Sequence, residues 1–429
     1  MAYKQLIQEG FIVSRPGSGY YVTDDLMFLD RVRHEMNVDK GLDRHKEKAR
    51  ETVDPSKAPN TVEPIIFDFT YGDLEPGSFP SLEWKAITDD VLLSPIAVSC
   101  NFYMDSEGER HLREQIAHQI AVTRNIHCRP EQIIVQAGTQ AALQNLLMLF
   151  NPKTDSIAME NPGYTGARSV FERCRFQTIP CPVIDDEVRF ADAVKRSEAK
   201  LAYTTPSNQF PMGTVMHTKT RHQLLDWAYK TDAYIIEDDY CYELNYRNRM
   251  RPALRTLDEH DRVIYMGTFS KSLSPALRIN FLVLPDRLLE RWRRFFIEAY
   301  PAVNWLTQEV LARYLESDRY SRHIRRILLR NKRKYETLKQ ALVSCMGDRI
   351  NVIEGGAGLH LLVVVNDGRP QEELIASARS VGVEVYGTDK YWMTQPHPLE
   401  SCVLIGFSAI EESLIFPGIE RLSGAWFDI

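Results

Sequence analysis

The sequence predicts an α/β protein: a large domain on a mainly parallel central sheet, a smaller α+β lobe, and a short separate unit in front of them. Three observations lead there. From Pro64 onward, short β-branched runs alternate with longer helical patterns, as strands joined by helical crossovers do. The 429 residues exceed one ordinary core and point to two or three domains. Hydrophobic residues at 44% and charged residues at 26% are globular in composition, which excludes a disordered chain.

The 52 Lys+Arg and 58 Asp+Glu leave a net charge of −6, which argues against a chain covered in nucleic-acid-binding surface. A small basic module still fits inside that average. Cysteines are scattered, without Cys-x-x-Cys or Cys/His ligand spacing, so no metal site and no disulfide framework is expected. A reducing cytoplasm is the expected location. Met1-Ala2-Tyr3-Lys4-Gln5 opens a polar amphipathic segment, unlike a signal peptide. The uncharged stretch Gln132–Pro152 contains Gln136, Gln140, Gln144 and Asn145, and reads as strand, turn and helix instead of a membrane span.

Residues 1–23 read as an amphipathic segment closed by Gly10, then a hairpin: Phe11-Ile12-Val13, a turn over Arg15-Pro16-Gly17-Ser18-Gly19, and Tyr20-Tyr21-Val22. So few residues bury no core of their own. Residues 24–63 are rich in charge, with a helix expected over Leu26–Met36 and prolines near the end, and read as a linker. Candidate strands follow at Gln132–Val135, Ser156–Met159, Leu201–Thr205, Tyr234–Glu237 and Val263–Met266. The second lobe shows a basic helix at Tyr320–Lys339 and a strand at Leu359–Val365.

Four elements fall at strand ends, where open α/β sheets bind ligands. Gln136-Ala137-Gly138-Thr139-Gln140 precedes a helix over Ala141–Phe150; its free N–H groups suit a phosphate, though many strand–helix turns look alike. Glu237-Asp238-Asp239 ends an apolar strand, and three such acids need partners unless they are solvated loop acids. Lys271 follows a strand among Thr268, Ser270, Ser272 and Ser274, with Arg278 further on; it reads as an amine nucleophile or as an exposed loop lysine. Tyr164, in Glu160-Asn161-Pro162-Gly163-Tyr164, can stack on a planar ring or fill a turn. Together they are the parts that a pyridoxal phosphate site needs.

Residues 64–429 resemble the fold-type I, pyridoxal-phosphate-dependent aminotransferases, and look most like the corresponding domain of the MocR group of GntR-type regulators. The resemblance rests on Asn161-Pro162-Gly163-Tyr164, Tyr203-Thr204-Thr205-Pro206-Ser207-Asn208-Gln209-Phe210-Pro211-Met212-Gly213, Ile236-Glu237-Asp238-Asp239-Tyr240, Gly267-Thr268-Phe269-Ser270-Lys271 and Gly358-Leu359-His360-Leu361. It implies pyridoxal 5'-phosphate as cofactor, Lys271 as the Schiff-base lysine, Asp238 at the pyridine nitrogen and Tyr240 at the 3-oxygen. It also implies Tyr164 stacked on the ring, a phosphate cup of Thr139, Gln140, Thr268, Ser270 and Arg278, and Tyr103 given to the phosphate by the other subunit of a homodimer. The large lobe would run over about residues 105–300. Residues 1–23 resemble the end of a recognition helix and the wing of a winged helix-turn-helix, with Lys4 and Arg15 as DNA-backbone contacts. The helices on which such a module packs are not among these residues, so the expected DNA reader is incomplete in this chain, either by truncation or as a fragment.

Two positions depart from the aminotransferase pattern. Phe210 stands where Asn usually precedes Pro-x-Gly, leaving Asn208 or Gln209 for the 3-oxygen. Leu404 stands where active enzymes commonly carry an arginine that clamps the substrate carboxylate, which makes turnover doubtful. His360 reads as packing or pocket lining, and Arg168 as an anion contact or a helix cap. The reading is a regulator sensing an amine, an amino acid or the cofactor. The alternatives are a genuine aminotransferase, moving an amino group from an amino acid to a keto acid, and a silent dimerising scaffold.

Overall fold

The computed structural model describes residues 12–15, 19–22, 64–183, 187–246, 251–353 and 355–427. The chain divides into two units after Thr61. In the first, β1 (Ile12–Arg15) pairs antiparallel with β2 (Gly19–Val22), setting Arg15 opposite Gly19. That is the hairpin expected from the sequence. The expected recognition-helix end with Lys4, the helix expected over Leu26–Met36 and the expected linker lie outside the described residues.

The second unit begins with β3 (Phe67–Asp68) and is built around a seven-stranded sheet. Its strands are β4 (Ile133–Gln136), β5 (Ser156–Asn161), β6 (Gln177–Pro182), β7 (Leu201–Thr204), β8 (Tyr234–Asp238), β9 (Val263–Thr268) and β10 (Asn280–Val283). They lie in the order β4-β10-β9-β8-β7-β5-β6. β10 runs antiparallel to both of its neighbours, while the other pairings are parallel. Helices cover both faces, which is why β4, β7, β8 and β9 are buried throughout and read as continuous apolar runs. The two-residue period of a strand divides them. Ile134, Ile264, Met266 and Leu282 pack with Leu143 and Phe171 on one face. Ile133, Val135, Tyr265 and Phe281 pack with Ile116 and Leu311 on the other.

The five strands read from sequence all form, most with one or two further residues. β6 and β10 were not foreseen. β6 contains Pro180 and Pro182 and is tolerated as an edge strand that pairs only with β5. β10 is four residues long and follows directly on an irregular turn.

The smaller lobe carries an antiparallel sheet of β11 (Ile350–Ile353), β12 (His360–Val365), β14 (Tyr386–Gly387) and β15 (Cys402–Gly406), ordered β11-β12-β15-β14. The long helix Asp318–Met346 and the helix Glu412–Phe427 bury Leu338, Leu342 and Ile419 with Leu361, Val363 and Phe407. β13 (Val383–Glu384) pairs parallel with β3, tying the start of the unit to its end. Among the described residues no helix is long and apolar enough to cross a membrane.

Candidate functional site

The carboxyl ends of β4, β5, β8 and β9 open onto one cavity of about 240 Å³. Thr139, Gln140, Tyr164, Asp238, Tyr240, Thr268, Ser270, Lys271 and Arg278, all singled out from sequence, line it. Tyr71, Tyr203, Thr205 and Phe210 line it as well. Tyr203 and Phe210 lay in a quoted motif without a cofactor role; Tyr71 gave no local signal, because tertiary folding alone brings it there.

The three strand-end acids are partnered on opposite sides, as strand alternation requires. Glu237 accepts the backbone N–H groups of Leu254 and Arg255 at 2.8 and 2.9 Å. Asp239 meets Arg124 at 2.7 Å and accepts from the Tyr265 hydroxyl at 2.9 Å. Asp238 faces the cavity: its Oδ2 accepts from the Tyr203 hydroxyl at 2.5 Å, and its buried Oδ1 has no hydrogen-bond partner in the protein. No cluster of His, Cys, Asp and Glu among the described residues could hold a metal.

Burial, with a smaller push from neighbouring Asp239 and against the Tyr203 hydrogen bond, raises the Asp238 pKa to about 7. An unfolded aspartate ionises near ~3.9, so the fold favours the protonated form. The contribution of Asp238 to stability is therefore complete below about pH 4 and is lost as pH rises toward 7, up to about 4 kcal/mol. Cofactor-free Asp238→Asn should then unfold at a higher temperature than wild type at pH 8, with the gap closing by pH 4. A melting series across pH checks this; a gap independent of pH would contradict it.

Lys271 sits opposite. Its Nζ donates to the Gly72 carbonyl at 3.2 Å and lies 4.8 Å from the Tyr71 ring centre. Burial lowers its pKa, favouring the neutral, nucleophilic amine. At the far end, Gly138 (φ 88°) caps the helix Thr139–Leu147, whose first N–H groups are free for an anion. Ser270 N–H donates to Thr268 Oγ1 at 3.2 Å, and Thr268 in turn reaches Ser270 Oγ at 3.1 Å. Arg278, at φ 53°, lays its guanidinium over Gly138 where a Cβ would overlap it. Gly138→Ala should displace Arg278 and weaken binding of a phosphorylated ligand about tenfold, as removing a charge-assisted contact does. Equilibrium dialysis against pyridoxal phosphate measures this, and unchanged affinity would separate Gly138 from the cup.

Tyr164 caps the following helix and sets its ring edge-on to Phe210 at 6.1 Å. Asn208 stands behind the lining and donates to the Tyr240 hydroxyl at 2.7 Å. Tyr103 lies away from this cavity, 86% exposed and against Tyr300 at 4.8 Å. Arg168 is not among the residues lining the cavity: its guanidinium donates to the carbonyls of Lys390 and Trp392, at 2.8 and 3.0 Å, and its Nε lies 3.9 Å from Glu172 on the same helix. Leu404 is fully buried, paired opposite Leu362 in the small-lobe sheet.

A mainly parallel sheet with this strand order and a lysine and aspartate at its carboxyl edge define a fold-type I aminotransferase-like protein. The kynurenine aminotransferase of Pyrococcus horikoshii, solved with PMP, superposes with a TM-score of 0.76 at 24% identity, over 91% of this chain and 95% of that one. The Bacillus subtilis HTH-type transcriptional regulator YdeL is 34% identical over 99% of this chain and 87% of its own length. For the probable rhizopine catabolism regulatory protein MocR of Rhizobium meliloti the figures are 30%, 99% and 85%. The chain belongs to the aminotransferase class I and II family, which matches residues 65–386, and within it to the MocR-type HTH transcriptional regulators. It is a transcriptional regulator with an aminotransferase-like domain, and the cofactor of that family is pyridoxal 5'-phosphate. The residues present fit this group: the unpartnered Asp238 Oδ1 suits a protonated ring nitrogen, and the Gly138–Arg278 cradle suits a phosphate.

Proposed function

We propose that residues 64–429 hold pyridoxal phosphate as a chemical sensor, and that an amine, an amino acid or the cofactor itself thereby sets the DNA affinity of the N-terminal unit through residues 24–63. The observation that carries the reading is the buried, unpartnered Asp238 Oδ1 in the same cavity as Lys271. When bound, the cofactor supplies an electron-withdrawing ring and an aldehyde carbon for amines. Lys271 would present its Nζ, whose ammonium form burial disfavours, to that carbon. Asp238, ionised when a positively charged ring nitrogen faces it, would keep a proton there, and Tyr240, set by Asn208, would hydrogen-bond the 3-oxygen. Tyr164, in the cavity lining, would stack on the ring. Thr139, Gln140, Thr268, Ser270 and Arg278 hold the phosphate, where guanidinium geometry permits paired hydrogen bonds.

The exposed Tyr103 would reach the phosphate of a partner subunit in a homodimer. Arg15 and Lys4 are proposed to meet the DNA backbone, and the cytoplasm is the proposed location. A second reading, aminotransferase turnover, draws support from the intact Lys271, Asp238 and Tyr240 set; the buried Leu404 works against it.

An effector shifts an equilibrium only through its differential affinity for the two states. The test is anisotropy of a labelled fragment of the protein's own promoter region, with the cofactor-loaded chain and a panel of amines and amino acids. At least one should change the DNA affinity of wild type and leave Lys271→Ala unchanged. Identical responses in both would overturn the reading, and repeated turnover with a keto-acid acceptor would favour the second one.

A further inference from the structure

The two ends of the cavity differ in kind. Arg278, Thr139 and a helix N-terminus gather positive charge and donors at one end. At the other, the Tyr71 and Phe210 rings lie 5.1 Å apart, with Tyr391 edge-on to Phe210 at 4.9 Å. Behind them Phe210, Met212, Leu362, Tyr391, Cys402 and Leu404 form one buried apolar cluster. Among the described residues that line the cavity, Lys271 and Arg278 are the only cationic side chains.

His360 is the remaining basic group at this end, 4% exposed, with its ring 4.8 Å from Tyr71 and 5.5 Å from Phe210. Its Nε2–H donates to the Pro211 carbonyl at 2.7 Å, and the buried Nδ1 has no partner in the protein. Burial pushes its pKa down to about 4, so it is neutral at physiological pH and offers no charge to an anion. Arg168 does not line the cavity and is taken up by two backbone carbonyls and Glu172.

Resting on the function proposed above, we infer that the effector is a small primary amine whose amino-bearing carbon carries an apolar or aromatic group and no carboxylate. An α-carboxylate here would leave water for a wall of Tyr71, Phe210 and the Leu404 cluster with no guanidinium to pair with and only the Lys271 amine, 4.8 Å from the Tyr71 ring, as a neighbouring cation, an incompletely compensated desolvation. An apolar or aryl group meets that wall favourably, with edge-on ring partners at 4.5–7 Å. The cavity of about 240 Å³ is at the small end of ligand pockets even before the cofactor takes its share.

Matched pairs test this in the cofactor-saturated full chain: phenethylamine against phenylalanine, and isoamylamine against leucine, each titrated on the visible absorbance of the cofactor. Each amine should half-saturate at a concentration lower than its parent amino acid by about tenfold or more. Leu404→Arg should narrow the gap by strengthening phenylalanine. If that variant does not fold, Phe210→Ala should weaken phenethylamine more than ethylamine. Equal or tighter binding of the amino acids in wild type overturns the inference and leaves the sensor reading standing. A cofactor band that responds to no amine, with no lysine adduct after borohydride, brings down both.

Discussion

Lys271→Ala is expected to lack the amine-linked visible band expected of the wild-type protein loaded with pyridoxal phosphate. The residue is placed by the end of β9 and the turn that follows, and its Nζ is held toward the cavity by the Gly72 carbonyl at 3.2 Å. Burial disfavours the ammonium form and lowers the Lys271 pKa from its ordinary value, which makes the amine easier to deprotonate for attack on an aldehyde carbon. The phosphate cup does not depend on Lys271, so the variant should still bind the cofactor, though non-covalently and more weakly. It should also lose its spectral response to amines. A variant that stays coloured and responsive would mean that another amine holds the cofactor.

Arg124→Met is expected to cost about 3–5 kcal/mol of stability, because it strands a buried charge. The Arg124 and Asp239 side chains are 2% and 0% exposed, and the pair closes at 2.7 Å. Arg124 also donates to Ser207 Oγ at 3.0 Å and to the Arg251 carbonyl at 3.3 Å, so it joins the helix Arg110–Arg124 to the strand ends. Without it, Asp239 keeps only the Tyr265 hydroxyl and stands beside Asp238, whose pKa it already raises. Denaturant midpoints check the loss, and adding Asp239→Asn should recover much of it. A loss below about 1 kcal/mol would show that the pair is no better than a surface salt bridge.

The large-lobe strands legible in the sequence are buried on both faces, and burial leaves an unbroken apolar run; β10 is as buried, but it is four residues long and begins with Asn280. β6 escaped because Pro180 and Pro182 count against a strand everywhere except at an edge. The site followed the same logic. A glycine turn before Thr139, an acid ending β8 and a lysine after β9 are local patterns, and each lines the cavity. Tyr71 and Arg124 are not local. Tyr71 lies in the stretch before the first helix of the domain, and Arg124 ends a helix whose partner acid lies on a distant strand. Sequence leaves Arg168 open between an anion contact and a helix cap because it shows a charge and not its partners, which are two backbone carbonyls and the Glu172 carboxylate.

The most direct test of the central claim is borohydride reduction of the cofactor-loaded protein followed by peptide mapping. One phosphopyridoxyl adduct is expected, on the peptide containing Lys271, with its loss when a competing primary amine is added before reduction. An adduct on a different lysine, or none under conditions where the cofactor is bound, would contradict it.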